Sequence, residues 1–184
     1  MYSEIYFMMP LILLIALTLD IVIGWPEKIY ANIGHPVSWI GKVISYFERS
    51  LNQSEYPGEL RKLFGTLTFF LTVVPITVVA FLIDKMLINF PYGFFIQAIL
   101  IWPFLATKSL YAHVKDVADA LDKKDLIASR EALSKIVGRD LKNSDENTIC
   151  CGAIESLSEN TSDGIISPLF WAFLFGLPGI VFYK

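Results

Sequence analysis

The sequence predicts an all-α, polytopic membrane helix bundle that carries a small cytoplasmic helical subdomain. Three observations support this prediction. Hydrophobic residues make up 54% of the 184 residues and the mean hydropathy is +0.54, above the usual balance of soluble proteins. The apolar residues are gathered in four stretches, each near the ~20 residues that cross a bilayer. Between these stretches, apolar residues recur at helical spacing.

The predicted elements form a single membrane domain over 1–184. The spans cover about 5–25, 64–83, 91–110 and 165–183, and the cytoplasmic helical segments cover about 36–51 and 111–160. The first stretch has no basic n-region and no small-residue cleavage site, so we expect a retained helix rather than a signal peptide. Pro36 is suited to a first helical turn, and the apolar stripe that follows it predicts a helix lying in the interface or against the bundle.

Lysine and arginine placement predicts the orientation of these spans. Five basic residues lie between the first two spans and eight lie between Lys108, near the end of the third span, and Lys142, whereas the turn between the second and third spans holds only Lys85. Positively charged loops stay preferentially in the cytoplasm. We therefore expect a multi-pass protein of the cell (inner) membrane, with its N-terminus outside and both long loops cytoplasmic.

Composition and spacing exclude several other classes of function. A formal net charge of -3 and no basic tract argue against a nucleic-acid partner. Cys150 and Cys151 are adjacent, which favours small core residues over a zinc site with His35 and His113, because no usual ligand spacing is present. Phosphate-binding loops, nucleophile elbows and dinucleotide-binding glycine turns are absent from the sequence.

A group of polar residues stands directly before the last apolar stretch. Glu155 and Glu159 are four residues apart, so on a helix they share one face, where like charges repel unless a cation lies between them. Asp163 either extends this row or lies on a turn at Ser162–Gly164. Oxygen ligands of this kind suit Mg²⁺ together with substrate phosphate. The alternative is a solvated helix end.

Two isolated ionisable residues are further candidates. His35 precedes the helix that begins at Pro36, and its imidazole titrates near neutral pH, although a loop histidine is more often structural. Asp20 lies near the cytoplasmic end of the first span. It either extends its carboxylate to the interface or has a partner inside the bundle.

Five motifs in order along the chain resemble the adenosylcobinamide-phosphate synthase family of cobalamin biosynthesis. They are Leu19-Asp20 with Gly24 and Pro26; Gly34-His35-Pro36-Val37 with Trp39-Ile40-Gly41; Ser109-Leu110 with His113; Ile136-Val137-Gly138-Arg139-Asp140; and Glu155-Ser156, Glu159-Asn160 and Asp163-Gly164 with Pro168-Leu169-Phe170. No single motif is specific, but all five together are.

The resemblance implies an ATP-dependent synthase that joins an aminopropanol, or its phosphate ester, to the carboxylate of adenosylcobyric acid. It implies ATP as co-substrate, Mg²⁺ as cofactor, and the corrinoid, the aminopropanol phosphate, the lipid bilayer and other cobalamin-assembly membrane proteins as partners. The implied roles are as follows: Glu155, Glu159 and Asp163 bind the metal, His35 acts as general base, Asn160 binds the corrinoid or orients a carboxylate, Arg139 pairs with phosphate, and Asp20 and His113 contact substrate or phosphate.

The chain also departs from this family. Its members are generally longer, with more spans after the Pro168 region, so a truncated, split or inactive product is one expectation. A non-enzymatic, AmpE-like membrane signalling protein is the main alternative. A transporter or assembly subunit is a second, disfavoured because few polar groups beyond Asp20 and Gln97 fall within the spans.

Overall fold

In the computed structural model, residues 2–184 are described, with side chains from Met8 onward, so Met1 and its predicted outside location fall beyond the described part. This described part is helical and contains no strand. The helices are α1 (Tyr2–Val22), α2 (Glu27–Ile33), α3 (Pro36–Leu51), α4 (Gly58–Leu87), α5 (Gly93–Ile101), α6 (Thr107–Asp122), α7 (Leu126–Ser134), α8 (Glu146–Thr161) and α9 (Ser167–Tyr183).

Several helical stretches are long and apolar enough to cross a membrane. By length and composition three qualify, Gly58–Leu87, Gly93–Asp122 and Glu146–Tyr183, and α1 with the α2–α3 segment is a fourth candidate, bent by 99°. The predicted all-α membrane bundle is therefore confirmed. Its apolar core joins α1, α5 and α9 around residues such as Ile12, Ile101 and Ile180.

The third predicted span, 91–110, is interrupted. After α5 the chain forms one short 3₁₀ turn, Trp102–Phe104, and Leu105 then adopts an extended backbone, with φ of -97° and ψ of 152°. Pro103 has no amide hydrogen to continue the α-helical ladder, which favours a break here. A new helix, α6, begins at Thr107.

The fourth predicted span, 165–183, doubles back on itself. Gly176 has a φ of 66°, and the helix is broken there. The rings of Trp171 and Phe182 lie 6.4 Å apart, and Lys184 Nζ donates to the Asp163 carbonyl oxygen at 3.1 Å. Along a straight helix, residues 163 and 184 would be separated by about 31 Å. This stretch is therefore not a straight helix: Gly176 adopts a left-handed backbone, and Pro178 lies in the first turn of the new helical arm.

Two carboxylates inside the bundle cap these broken helices. Asp84 of α4 accepts hydrogen bonds from the Gln97 side chain and from the backbone of Leu177, the first residue of the returning arm of α9. Asp20 of α1 accepts from the amide of Thr107, the first residue of α6. The free amides at a helix start need acceptors where water is excluded, so both acids stabilise non-continuous helices.

The helices α6, α7 and α8 form a polar subdomain with a core of its own. Val117, Leu133 and Ile149 are almost fully buried at its centre. Asp145 caps α8 by accepting from the Thr148 amide at 2.9 Å, and the Thr148 hydrogen bonds hold the pKa of this carboxyl below its usual value. This subdomain presents one face of α8 to the loop that follows α7.

Candidate functional site

One face of α8 and the loop over residues 135–139 form the centre of the candidate site. Ser156 donates its hydroxyl to the Ile136 carbonyl oxygen at 2.9 Å, which fixes the loop against the helix. Asn160 donates its amide to the Ser156 carbonyl oxygen at 2.8 Å and to the Ser156 hydroxyl at 3.0 Å. The Asn160 side-chain carbonyl oxygen takes no part in these two bonds.

A cavity of about 310 Å³ lies on one side of this loop. We call it the acidic cavity, and it is lined by Ile136, Val137, Gly138, Arg139, Gly152, Glu155, Ser156 and Glu159. Glu155 and Glu159 thus share one cavity, as the four-residue spacing predicts. Arg139 Nη2 lies 3.2 Å from Glu155 Oε2, and about half of each side chain is exposed.

Gly152 makes room for the arginine. A Cβ at this position would lie 2.7 Å from Arg139 Nη2 and 3.2 Å from a Leu133 methyl group. The guanidinium therefore packs directly over the α8 backbone. An exposed ion pair of this kind contributes only about 0–1 kcal/mol to stability. Its importance is that it holds a forked donor at the cavity wall.

A second cavity, of about 330 Å³, lies on the other side of the same loop. We call it the basic cavity, and it is lined by Ala106, Ser109, Leu110, His113, Lys135, Ile136, Val137, Gly138 and Asn160. Residues 136–138 border both cavities. The basic cavity brings a histidine and a lysine together, whereas the neighbouring one holds both glutamates.

Asp163 does not join the two glutamates. Its carbonyl oxygen is bonded to Lys184, and Ser162–Ile166 forms a π-helical turn rather than an open turn or a regular continuation of α8. Among the side chains described, from Met8 to Lys184, no three His, Cys, Asp or Glu groups are close enough to hold a metal ion. The predicted three-carboxylate metal group is therefore not assembled, because the wider turn changes the direction in which Asp163 leaves the helix.

His35 has a structural position. Its Nδ1 accepts from the Val37 amide at 3.3 Å and so caps α3, and its ring lies edge-on to Trp25 at 5.1 Å. Burial and, secondarily, the positive charge of Lys184 lower the pKa of His35, and a hydrogen bond to the Pro103 backbone opposes this shift. His35 belongs to the lining of neither of the two cavities, and its role as general base stays a prediction.

Asp20 is buried and has an internal partner. Only 3% of the residue is exposed, and its Oδ2 accepts from the Thr107 amide at 2.5 Å. This internal partner is the second of the two alternatives for Asp20, whereas its contact with substrate or phosphate stays a prediction. Among the other predicted residues, the structure brings five to the two cavities: His113, Arg139, Glu155, Glu159 and Asn160.

Sequence reasoning missed three contributors to these cavities. Lys135 immediately precedes the motif Ile136–Asp140, and Ser109 begins the motif that ends at His113, so adjacency to a motif was the available signal. Gly152 lies on the buried face of α8 with Ile149, Ala153 and Ser156, and it carries no signal of its own. Its role is visible only once the position of Arg139 is known.

Comparison with known proteins identifies the family. Residues 13–184 match the model of the family described as "CobD/Cbib protein". This chain belongs to the CobD/Cbib family. No solved structure matches the chain significantly.

Curated relatives support the membership. A "Cobalamin biosynthesis protein CobD" of Rhodobacter capsulatus is 42% identical over 172 residues, which cover 94% of this chain and 54% of the relative. One from a Sinorhizobium species is 41% identical, over 95% of this chain and 54% of that protein. A "Probable cobalamin biosynthesis protein CobD" of Methanocaldococcus jannaschii is 38% identical, over 95% of this chain and 57% of that protein. The chain spans about half the length of the curated relatives it matches.

Proposed function

We propose that this chain acts in cobalamin biosynthesis as an ATP-dependent synthase that joins an aminopropanol, or its phosphate ester, to the carboxylate of adenosylcobyric acid. The observation that carries the proposal is the pair of adjoining cavities, one with Glu155, Glu159 and Arg139 and the other with His113 and Lys135. Membership of a family whose relatives are named for cobalamin biosynthesis supports the choice of pathway.

The proposed chemistry needs an activated carboxylate, because a carboxylate and an amine do not condense unaided. Transfer of the terminal phosphoryl group of ATP to the corrinoid carboxylate gives an acyl phosphate and ADP. The amine nitrogen then attacks the acyl carbon, the new C–N bond forms, the C–O bond to phosphate breaks, and phosphate leaves. The product is adenosylcobinamide or its phosphate.

Each charged wall residue has a role in this proposal. Arg139 pairs with a phosphate through the guanidinium donors that do not face Glu155, since its planar fork matches phosphate oxygens. Glu159 receives the proton that the substrate ammonium must lose before attack. His113 and Lys135 offer donors to a phosphate in the basic cavity, and the side-chain carbonyl oxygen of Asn160 orients a donor on the substrate.

The donor groups of the acidic cavity fit Mg²⁺ only if substrate phosphate oxygens complete its coordination. Two carboxylates border the acidic cavity, and no third group joins them among the described side chains. Magnesium commonly binds through one or two carboxylates together with substrate phosphate oxygens. Glu155 would hold the ion together with a phosphate, and the ion would neutralise charge on the transferred group, which leaves Glu159 as the proton acceptor.

We propose that α6–α8 and both cavities face the cytoplasm of a cell-membrane protein. The excess of Lys and Arg after α5 supports this orientation. The cytoplasm also supplies ATP and the corrinoid. Other cobalamin-assembly membrane proteins are the proposed neighbours in the bilayer.

The direct test is an assay of the chain purified in lipid nanodiscs with adenosylcobyric acid, aminopropanol phosphate, ATP and Mg²⁺. We expect product and an equal amount of ADP from the wild type. Glu159→Gln should reduce kcat by about 10²-fold or more, the size of effect typical for loss of a group that moves a proton.

Ser158→Ala is the matched control, because Ser158 is an exposed neighbour on the same helix and lies outside the acidic cavity. It should retain wild-type rates. No product from the wild type, or equal rates from Glu159→Gln and Ser158→Ala, would contradict the proposed activity or the proposed role of Glu159.

A further inference from the structure

Three helical segments converge beside the basic cavity, at the break between α5 and α6. They are the C-terminal end of α1, the N-terminal end of α6 and the π-helical turn Ser162–Ile166. The contacts among them join residues more than fifty positions apart in the sequence, such as Asp20 and Thr107. We call this meeting point the three-helix junction.

The start of α6 takes its cap from another helix. Ala106 occupies the N-cap position, and its methyl group can accept no hydrogen bond. The Asp20 carboxylate of α1 takes the place of the missing cap and accepts from the Thr107 amide.

Lys108 completes the arrangement in the opposite direction. Its Nζ donates to the carbonyl oxygens of Val22 at 2.8 Å and Ile23 at 3.0 Å, so a side chain of α6 caps the end of α1. The lysine stem passes under Gly24, where a Cβ would lie 2.7 Å from Lys108 Cδ and where φ is +64°. Each of the two helices therefore supplies the cap of the other.

The π-helical turn supplies the third connection. The Gly164 carbonyl oxygen accepts from the Ala106 amide at 3.1 Å, and a Cβ on Gly164 would lie 3.3 Å from the Ala106 methyl group. Asn160 lies one helical turn before Gly164, and Ser109 lies two residues after Thr107. Both residues border the basic cavity, so the junction joins the two helices that form its opposite walls.

We propose that Asp20 and Lys108 are positioning residues that set the basic cavity through this reciprocal cap, without contacting a substrate. The consequence for turnover rests on the proposed synthase function, whereas the effect on the start of α6 does not. The hydrogen-bonding oxygen of residue 20 matters here, and its charge does not.

The test compares Asp20→Asn, which keeps a side-chain oxygen as acceptor, with Asp20→Leu, which has similar size and no acceptor. Amide hydrogen exchange of the nanodisc-bound chain is followed by mass spectrometry in a peptide that covers the start of α6. We expect exchange about tenfold faster in Asp20→Leu and close to wild type in Asp20→Asn, since a lost cap frees the first turn. Lys108→Met should change the same peptide in the same direction.

Steady-state kinetics then separate positioning from a substrate contact. A displaced cavity wall should raise KM for the amine substrate in Asp20→Leu by about tenfold while Asp20→Asn stays near wild type. Asp20→Asn as defective as Asp20→Leu would show that the charge itself is needed and would overturn the proposal. So would unchanged exchange in Asp20→Leu. If the wild type is inactive but the exchange pattern is as expected, the synthase function is contradicted and the reciprocal cap of α1 and α6 is still supported.

Discussion

His35 caps α3 with a ring nitrogen that must remain unprotonated. Protonation would remove the Nδ1 acceptor of the Val37 amide, and burial beside Trp25 already disfavours the charged ring. The pKa of folded His35 is therefore lower than the value of 6.5 expected in an unfolded chain. Above that value both states are neutral, so His35 adds no pH dependence there. As the pH falls below it, the unfolded chain binds the proton first and stability is lost.

We predict that the thermal midpoint of the wild type falls between about pH 7 and about pH 5. His35→Asn should flatten this dependence, because asparagine also caps a helix and does not titrate. The thermal midpoint is measured at each pH by differential scanning fluorimetry in detergent. The control is His113→Asn, which removes the other histidine of the chain and should keep the slope. An unchanged slope in His35→Asn would contradict the assignment.

At the scale of the element, the break in α9 depends on one glycine. Gly176 has a φ of +66°, and an added Cβ would lie 3.0 Å from Asp84 Oδ2. A residue with a Cβ is destabilised by about 1–2 kcal/mol in this left-handed region. At this position the Cβ would also crowd the Asp84 carboxylate, which caps the returning arm. We predict that Gly176→Ala lowers the thermal midpoint and the yield of folded protein.

The matched control for that substitution is Gly65→Ala. Gly65 lies inside α4 and a Cβ there would meet nothing within 4 Å. Alanine at an exposed helical position stabilises by up to about 1 kcal/mol relative to glycine. Opposite shifts of the midpoint are therefore expected from the same chemical change at the two positions. A neutral Gly176→Ala would mean that the turn needs no left-handed residue.

The sequence predicts elements whose signal is local and fails where a distant partner decides. The amphipathic stripe that follows Pro36 predicts α3. By contrast, the breaks at Ala106 and Gly176 lie within apolar stretches that read as simple spans. Their stability depends on Asp20 and Asp84, which lie on other helices.

At the scale of the whole molecule, the doubling back of α9 brings its end back beside its start. Lys184 returns to the neighbourhood of Asp163, whereas a straight helix would carry it to the opposite side. We predict that a cysteine placed at Lys184 in a Cys150→Ala, Cys151→Ala background reacts with a membrane-impermeant maleimide only after the cells are permeabilised.

Asn89→Cys in the same background is the control, because Asn89 is exposed in the turn between α4 and α5 at the other end of the bundle. It should be labelled in intact cells. Labelling of both positions in intact cells would place the end of α9 outside and contradict the hairpin.

The same scale shows what could be predicted of the candidate site. Spacing correctly places Glu155 and Glu159 together, since a regular helix fixes their direction. Asp163 lies just as many residues further along, but spacing fails there because the π-helical turn intervenes. The pairing of His113 with Lys135 depends on how α6 packs near the loop after α7, which local sequence does not encode.

The extra residue in the π-helical turn Ser162–Ile166 lets α8 run into the first arm of α9 while the two helices face different surroundings. Before this turn, polar side chains such as Glu159 are exposed to solvent. After this turn, Pro168 and Ala172 are buried in the apolar interior of the bundle. Deleting one residue from this turn would rotate α8 relative to α9 by roughly a quarter of a revolution. The two helices could then not both keep their present environments.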